Sequence, residues 1–437
     1  MATANEHTLP PTNLELPRTL HSDRHFLEEV QIPIVTISAS FRSYIAEHRD
    51  ETAKVSDEAV FSRAHFSMAM AIFEQASTMG LTSWLVDPIN YVSEKDWKKI
   101  AFVESVGQLT ARILILKKLK DFADNIIRSR LPIASAVEQP LLYVTEKTRV
   151  PILSLHYEVG NILAAKGKKV IQVVTDPHVR PHYLLEAQRS NITFCVFDQN
   201  TKDEFLEKAR EKGLVVPKEK VVVTGPPVDP RIVKAREGKK PDDYKRRGLR
   251  LAFTTSGLGT NKKEIKKMLD QLLQLIKKTN IQLILYAGTH EDFRDMFYSL
   301  ARNYKIAVGD AESAEQVRVI YKPGIVRANQ DLIKYAFPWA DGFITKPSGD
   351  MAYDAAAAGC FLLTLRPWGE WEENIEKTFE GLGISQNANV DNFTRQLEDL
   401  LSSRWVEKAM GNALNIDPLF LTGAKKIVDL QQKLAVK

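Results

Sequence analysis

Along the chain, short unbroken apolar runs alternate with longer stretches in which apolar residues recur every three or four positions. Gln31 to Ala39, Leu81 to Pro88, Leu141 to Val144, Val170 to Thr175 and Phe194 to Asp198 are the short kind, which parallel strands need when both sheet faces are covered. Lys220 to Thr224, Leu249 to Thr255, Ile281 to Ala287, Val317 to Tyr321 and the run ending at Phe343-Ile344-Thr345 continue the series. Helical spacing predicts a helix from near Glu58, a long one over Arg112 to Arg130, and others over Lys202 to Lys212, Lys262 to Lys278 and Phe393 to Leu401, with a helical run on to Lys437. This alternation predicts two doubly wound α/β domains facing one cleft.

A polar break separates the two halves. Lys234 to Arg250 holds eight Lys or Arg among polar, Gly and Pro residues and reads as a solvated connector. The divisions are a flexible tail over 1–24, an N-terminal Rossmann-like domain over 25–235, a linker over 236–248, a second Rossmann-like domain over 249–408 and terminal helices over 409–437. Arg42 to Asp57, charged and poorly periodic, predicts a lid or substrate loop.

Composition narrows the classes. At 437 residues, 44% hydrophobic and 26% charged, the chain has the balance of a globular protein with room for two domains. A net charge of +5 suits a phosphate ligand or an anionic membrane surface, and is too small and dispersed to argue for nucleic acid. Cys195 and Cys360 fall in different halves, which suggests neither a disulfide framework nor a zinc site and predicts a reducing, cytoplasmic home. No apolar run approaches the roughly eighteen residues that span a bilayer, so any lipid contact is expected to be peripheral. The basic flanks of Arg112 to Arg130 suit either such an interface or ordinary packing on a sheet.

Candidate chemistry concentrates in the second half. Phe343 to Gly359 reads as strand, then the turn Lys346-Pro347-Ser348-Gly349, then an alanine-rich helix stopped by Gly359. Such a turn exposes backbone N–H groups and a positive helix end, which suit a phosphate. Asp354, one helical turn past Asp350, is placed to accept hydrogen bonds from ribose hydroxyls; the alternative is an ordinary helix packed on its sheet by alanines. About ninety positions upstream, Thr255-Ser256-Gly257-Leu258-Gly259-Thr260-Asn261 is a second glycine-rich strand-to-helix turn, not a P-loop, since no Gly-Lys-Ser/Thr follows.

The first half offers proton-transfer groups. His65 has the side chain best suited to take a proton from a hydroxyl near neutral pH, and Asp176 ends a parallel strand, where ligand crevices form. Asp176, His178 and His182 have a spacing that a metal could use, and equally one that lines a pocket. His156, in a leucine-rich context, reads as structural.

Thr345 to Gly349, Tyr353-Asp354-Ala355-Ala356-Ala357-Ala358-Gly359 and Gly369-Glu370-Trp371-Glu372-Glu373-Asn374 resemble the donor-site signature of glycosyltransferase family 28. That family includes the lipid II N-acetylglucosamine transferase and the monogalactosyl- and diglucosyl-diacylglycerol synthases. Its usual Lys-Pro-Gly-Gly, Ser-Glu and Gly-Gln-Glu are here Lys-Pro-Ser-Gly, Tyr-Asp and Gly-Glu-Trp. Ser62 to Ile72 is similar to the family's Gly-x-Gly-His element, with His65 on the histidine and the glycines replaced, and Lys220 to Arg231 resembles the element that ends the acceptor domain.

The resemblance implies a GT-B fold: an acceptor-side lobe, a nucleotide-sugar lobe, and a last helix returning to the first. It implies an inverting, metal-independent transfer of a hexose or N-acetylhexosamine from a nucleotide diphosphate sugar, expected to be a UDP-sugar, to a hydroxyl of a small molecule or lipid, with no cofactor. His65 or Asp176 would be the base. Ser256, Gly257 and Ser348 would hold the diphosphate and Lys346 would meet its charge, with Thr255, Gly259, Gly349 and Asp350 in the same substrate site and Gly288 and Thr289 at the base or diphosphate. Asp354 would hold the ribose, Glu370, Glu372, Glu373 and Asn374 the donor sugar, and Val326 to Trp339 would pack on the nucleobase. The alternatives are a nucleotide-sugar 2-epimerase of the same fold and a nucleotide-sugar-binding regulator that has lost its acceptor site.

Overall fold

The computed structural model describes residues 19–39, 62–93, 95, 96, 100, 133–255, 257 and 259–436. The first lobe runs α1 (Leu20–Glu29), β1 (Ile32–Val35), α2 (Arg63–Thr78), β2 (Ser83–Val86), α3 (Ile133–Thr145), β3 (Ile152–Ser154), α4 (Tyr157–Ala165), β4 (Val170–Val173), β5 (Ile192–Val196), α5 (Gln199–Glu211) and β6 (Val221–Val223). Two short helices, α6 (Pro230–Lys234) and α7 (Tyr244–Arg247), lead on. The second lobe runs β7 (Arg250–Thr254), α8 (Lys262–Leu275), β8 (Gln282–Gly288), α9 (Glu291–Asn303), β9 (Val308–Gly309), β10 (Val317–Tyr321), α10 (Ile325–Asp331), β11 (Gly342–Thr345), α11 (Met351–Ala357), β12 (Phe361–Thr364), α12 (Glu370–Gly381), β13 (Ser385–Asn387), α13 (Phe393–Ser402) and α14 (Trp405–Leu414); α15 (Gly423–Ala435) follows.

Among the described residues the strands form two fully parallel sheets, ordered β2-β1-β3-β4-β5-β6 and β13-β12-β11-β7-β8-β10-β9. Every residue of β1, β2, β4, β5, β11 and β12 is buried, as expected when helices cover both faces. Strand order reverses between β1 and β3 in one sheet and between β7 and β11 in the other. At such reversals successive connections leave toward opposite faces and open a crevice at the carboxyl ends of the strands. The segments at those ends are Thr36 to Ala39 and His156 in the first lobe, and Thr255 to Asn261 and Lys346 to Asp350 in the second.

Three features differ from the expectations drawn from sequence. Leu141 to Val144 is not a strand; it belongs to α3, where Val137, Leu141 and Val144 are the buried face at helical spacing. A four-residue apolar run has no period of its own to decide the matter. The edge-to-centre strand is instead Ile152–Ser154. The tail is shorter than expected: Thr19 caps α1, and the buried Asp23 accepts hydrogen bonds from Trp84 Nε1 (2.9 Å) and the Tyr91 hydroxyl (2.6 Å).

The linker is not a solvated connector. Lys239 Nζ donates to the carbonyls of Phe337 (2.7 Å) and Ala340 (2.9 Å), and the Arg247 guanidinium makes two bonds to Asp341 (2.9 and 2.6 Å). Its cations satisfy chain ends of the second lobe, so it is fastened there. The expected loop over Arg42 to Asp57 and helix over Arg112 to Arg130 lie outside the described residues.

The last helix does return to the first lobe. Packed on α2 and β1, α15 sends Gln431 Nε2 to the carbonyls of Gln31 (2.8 Å) and Pro151 (3.1 Å). Gly423 permits the crossing, since a Cβ there would stand 2.0 Å from the Pro226 carbonyl oxygen. No helix among the described residues is long and apolar enough to cross a membrane.

Candidate active site

The two switch-point crevices meet in one cavity of about 320 Å³. Its first-lobe wall includes Arg63, His65, His156, Thr175, Asp176, Arg180 and Tyr183, and its second-lobe wall Thr255, Gly257, Lys346, Ser348, Gly349, Asp350, Trp368, Trp371 and Glu372. The lobes touch closely here. A Cβ on Gly349 would stand 2.8 Å from both Asp176 Oδ1 and the Thr175 carbonyl oxygen, so the turn approaches the first lobe as only a glycine allows.

His65 enters from the first turn of α2, where the Ser62 side chain caps the helix by accepting from the His65 N–H (3.2 Å). Its Nδ1 faces the Ile37 carbonyl at 3.3 Å and its Nε2 the Thr175 hydroxyl at 3.0 Å. A carbonyl can only accept, so Nδ1 carries the proton and Nε2 presents a lone pair. Burial holds the imidazole below its ordinary pKa, against the opposing pull of Asp176. The Tyr183 hydroxyl lies 3.3 Å from the Thr175 hydroxyl, so the chain Tyr183 to Thr175 to His65 can run donor to acceptor throughout.

Asp176 is in the cavity wall, but its Oδ2 accepts from Arg180 Nη2 at 3.2 Å. Its expected neighbours diverge. His178 pairs with Glu204 at 3.1 Å, and the His182 ring stacks on Tyr157 at 4.9 Å. The three residues therefore do not converge on one point as metal ligands would. His156, read as structural, faces the cavity at the β3 switch point. Its Nδ1 accepts from the Glu158 N–H at 3.2 Å, which leaves Nε2 as the protonated nitrogen, and burial holds this imidazole well below its ordinary pKa.

In the second lobe, Lys346 and Glu372 form an ion pair of 2.7 Å, each side chain 6% exposed. Burial raises the Glu372 pKa, with Lys346 pulling against it. Asp350 is paired twice, with Arg63 Nη1 at 2.6 Å and with the Ser348 hydroxyl at 2.7 Å. Burial is the largest influence and opposes its ionisation, yet the Arg63 charge together with the hydrogen bonds from the Ser348 hydroxyl and the Met351 N–H keeps the carboxyl below the usual range.

Asp354 is not brought to the cavity. All seven residues of α11 are buried, and Asp354, 4% exposed, is among them with its Oδ2 lacking any hydrogen-bond partner. Burial first, then the Asp350 charge, push its pKa well above the usual range, which favours the neutral acid. A ribose contact needs a side chain at the cavity surface, and Asp354 is buried outside the lining.

Of the expected sugar contacts, Glu372 lines the cavity, whereas Glu370 and Glu373 are exposed and Asn374 is outside the lining. Gly288 ends β8 and Thr289 follows it, and neither lines the cavity. Gly259 borders a neighbouring hollow of about 680 Å³ that shares Trp368 with the cavity. Ser256 lies outside the described residues. Trp339, from the segment expected at the nucleobase, sits beside Arg318 (4.2 Å) and Arg250 (5.4 Å) instead.

Several lining residues were not expected: Arg63, Thr175, Arg180, Tyr183 and Trp371. Trp371 stands where the family signature has a glutamate, and its ring lies under the Arg180 guanidinium at 5.0 Å, across the cleft. The signal for Thr175 and Tyr183 was available, since both flank the strand end at Asp176.

No protein-family model matches the chain, and no curated protein does. Solved structures do. Os79 from O. sativa, in complex with UDP, aligns over 92% of this chain and 100% of its own with a TM-score of 0.53 at 9% identity. The chain has the GT-B fold. UDP-GlcNAc 2-epimerase from Neisseria meningitidis, bound to UDP-GlcNAc, aligns over 92% and 99% of the two chains with a TM-score of 0.50 at 13% identity. The glycotransferase of kitacinnamycin gives 0.50 at 13% identity over 92% and 98%. At such identities the likeness establishes the GT-B backbone and leaves the chemistry to this chain's own residues.

Proposed function

We propose that this chain is a glycosyltransferase that moves a hexose or N-acetylhexosamine, with inversion, from a nucleotide diphosphate sugar to a hydroxyl acceptor. The observation that carries the reading is the convergence in one cavity of a neutral imidazole, its Nε2 lone pair engaged only by the Thr175 hydroxyl, and two turns suited to phosphate. UDP is the first nucleotide to test, because the solved GT-B proteins named above include ones bound to UDP and UDP-GlcNAc.

In this reading the acceptor hydroxyl displaces the Thr175 hydroxyl from His65 Nε2 and gives its proton there as it attacks the anomeric carbon. The bond from that carbon to the diphosphate oxygen breaks, and the pair of electrons leaves with the diphosphate. Asp176 stabilises the imidazolium that forms, as its effect on the His65 pKa indicates. The growing negative charge is met by Lys346 and the turns at Gly257 and Ser348-Gly349. The acceptor, a small molecule or a lipid met at a cytoplasmic membrane surface, would approach along the wall of His156, Tyr157 and Arg180.

The test is a donor panel of UDP-, GDP- and dTDP-sugars read by thermal shift, followed by nucleotide release with acceptor extracts. Acceptor-dependent release of UDP supports transfer. Isomerised sugar without nucleotide release would assign the 2-epimerase reaction, which the shared GT-B backbone also accommodates. Binding with no turnover in any extract would leave a nucleotide-sugar regulator.

A further inference from the structure

Arg63 reaches from the first lobe into the turns of the second. It is 8% exposed, lines the cavity, and gives Nη1 to Asp350, while its Nε and Nη2 are buried with no hydrogen-bond partner. Native proteins leave few buried N–H groups unpaired, because each forfeits its hydration and gains nothing in return. Here the two unpaired groups are adjacent on one edge of a planar guanidinium. Their N–H bonds run side by side, the arrangement that matches two oxygens of one phosphate.

The surroundings fix that edge. On its other edge Arg63 is anchored by Asp350, which the Ser348 hydroxyl holds in turn. Behind it, Gly257 packs so closely that a Cβ there would lie 3.3 Å from the Arg63 Cβ. Thr255, Lys346 and Ser348 share the cavity wall with it. Arg63 is matched to Asp350 and Lys346 to Glu372, so the guanidinium is charged before any ligand arrives.

We propose that Arg63 is a diphosphate-binding residue supplied by the acceptor-side lobe, gripping phosphoryl oxygens through Nε and Nη2 while Nη1 stays on Asp350. This rests on the donor reading above for the identity of the diphosphate. It departs from the pattern of family 28, in which this stretch carries glycine. Because the guanidinium rides on α2 and the phosphate turns on the second lobe, the donor ties the lobes together when it binds.

Calorimetry with uridine, UDP and inorganic pyrophosphate separates the two proposals. Wild type should bind pyrophosphate, and Arg63→Gln should weaken both pyrophosphate and UDP by about tenfold or more while uridine affinity holds. Arg63→Lys, which keeps the charge and loses the fork, should fall between, and serves if the glutamine variant does not fold. Pyrophosphate binding within about twofold of wild type in both Arg63 variants overturns the proposal, as does its absence in wild type. Should pyrophosphate bind through Arg63 while UDP gains nothing over it, the uridine donor reading falls and the arginine site stands.

Discussion

His65 Nε2 lies 3.0 Å from the Thr175 hydroxyl, and His65 Nδ1 lies 3.3 Å from the Ile37 carbonyl, so the ring is held in one tautomer with its lone pair on Thr175 in the cavity wall. His65→Gln should lower turnover by roughly 10²- to 10⁴-fold and leave the UDP dissociation constant nearly unchanged. Steady-state UDP release and calorimetry check the two halves. Burial lowers the histidine pKa, so the base form persists to lower pH than usual, and the acid limb of kcat/KM should fall below about 6.5. A limb at or above that value would mean the ring is not buried as described.

The buried pair of Lys346 and Glu372 predicts unequal effects of its two halves. Lys346→Met strands a carboxylate in the interior and should cost about 3–5 kcal/mol of stability, read from denaturant unfolding. Glu372→Gln leaves a neutral partner that can still accept from the ammonium, so its cost should be well under half of that. Donor affinity should drop with Lys346→Met and survive Glu372→Gln.

Asp354 makes a prediction with a definite sign in pH. Its native pKa is raised, so above about pH 4 the unfolded chain releases a proton that the folded chain keeps, and stability contributed by this group is lost as pH rises. Asp354→Asn copies the neutral acid and removes that loss. The variant should melt higher than wild type, with the gap widening from pH 4 to pH 8 to more than about 2 °C. UDP affinity should hold; a loss of about tenfold would restore the ribose contact.

Gly349→Ala sets a methyl against Asp176 Oδ1 and the Thr175 carbonyl, each 2.8 Å away, and a backbone carbonyl has nowhere to move. Overpacking of this kind costs about 1–3 kcal/mol where the neighbours stay in contact, so the lobes should part instead. Turnover should fall at least about tenfold, and the radius of gyration from solution scattering should rise. An unchanged radius with full activity would show that the closed arrangement is dispensable.

The phosphate turns were readable because short apolar runs end abruptly in Gly and Pro, after Thr254-Thr255 and after Thr345-Lys346. Strand order then brings those ends together, which the alternation of elements already implied. What failed was orientation over short distances. In a seven-residue helix buried on every side, as α11 is, no polar face exists to tell which acid meets the ligand. Leu141 to Val144 failed for the related reason that four apolar residues fit both periods. Arg63 was beyond reach because its partner is 287 positions away, and nothing local marks a charge that pairs across a cleft. The linker misled through composition: Lys239 and Arg247 among its cations bind carbonyls and a carboxylate of the second lobe.

The return of α15 has a consequence during synthesis. Gln431 closes its hydrogen bonds on Gln31 and Pro151, 400 and 280 positions earlier, so the first-lobe sheet waits until the whole second lobe has been made to receive the last of its cover. The second lobe, made later, has its own helices at hand and can settle beforehand. In this chain the half that is born first matures last.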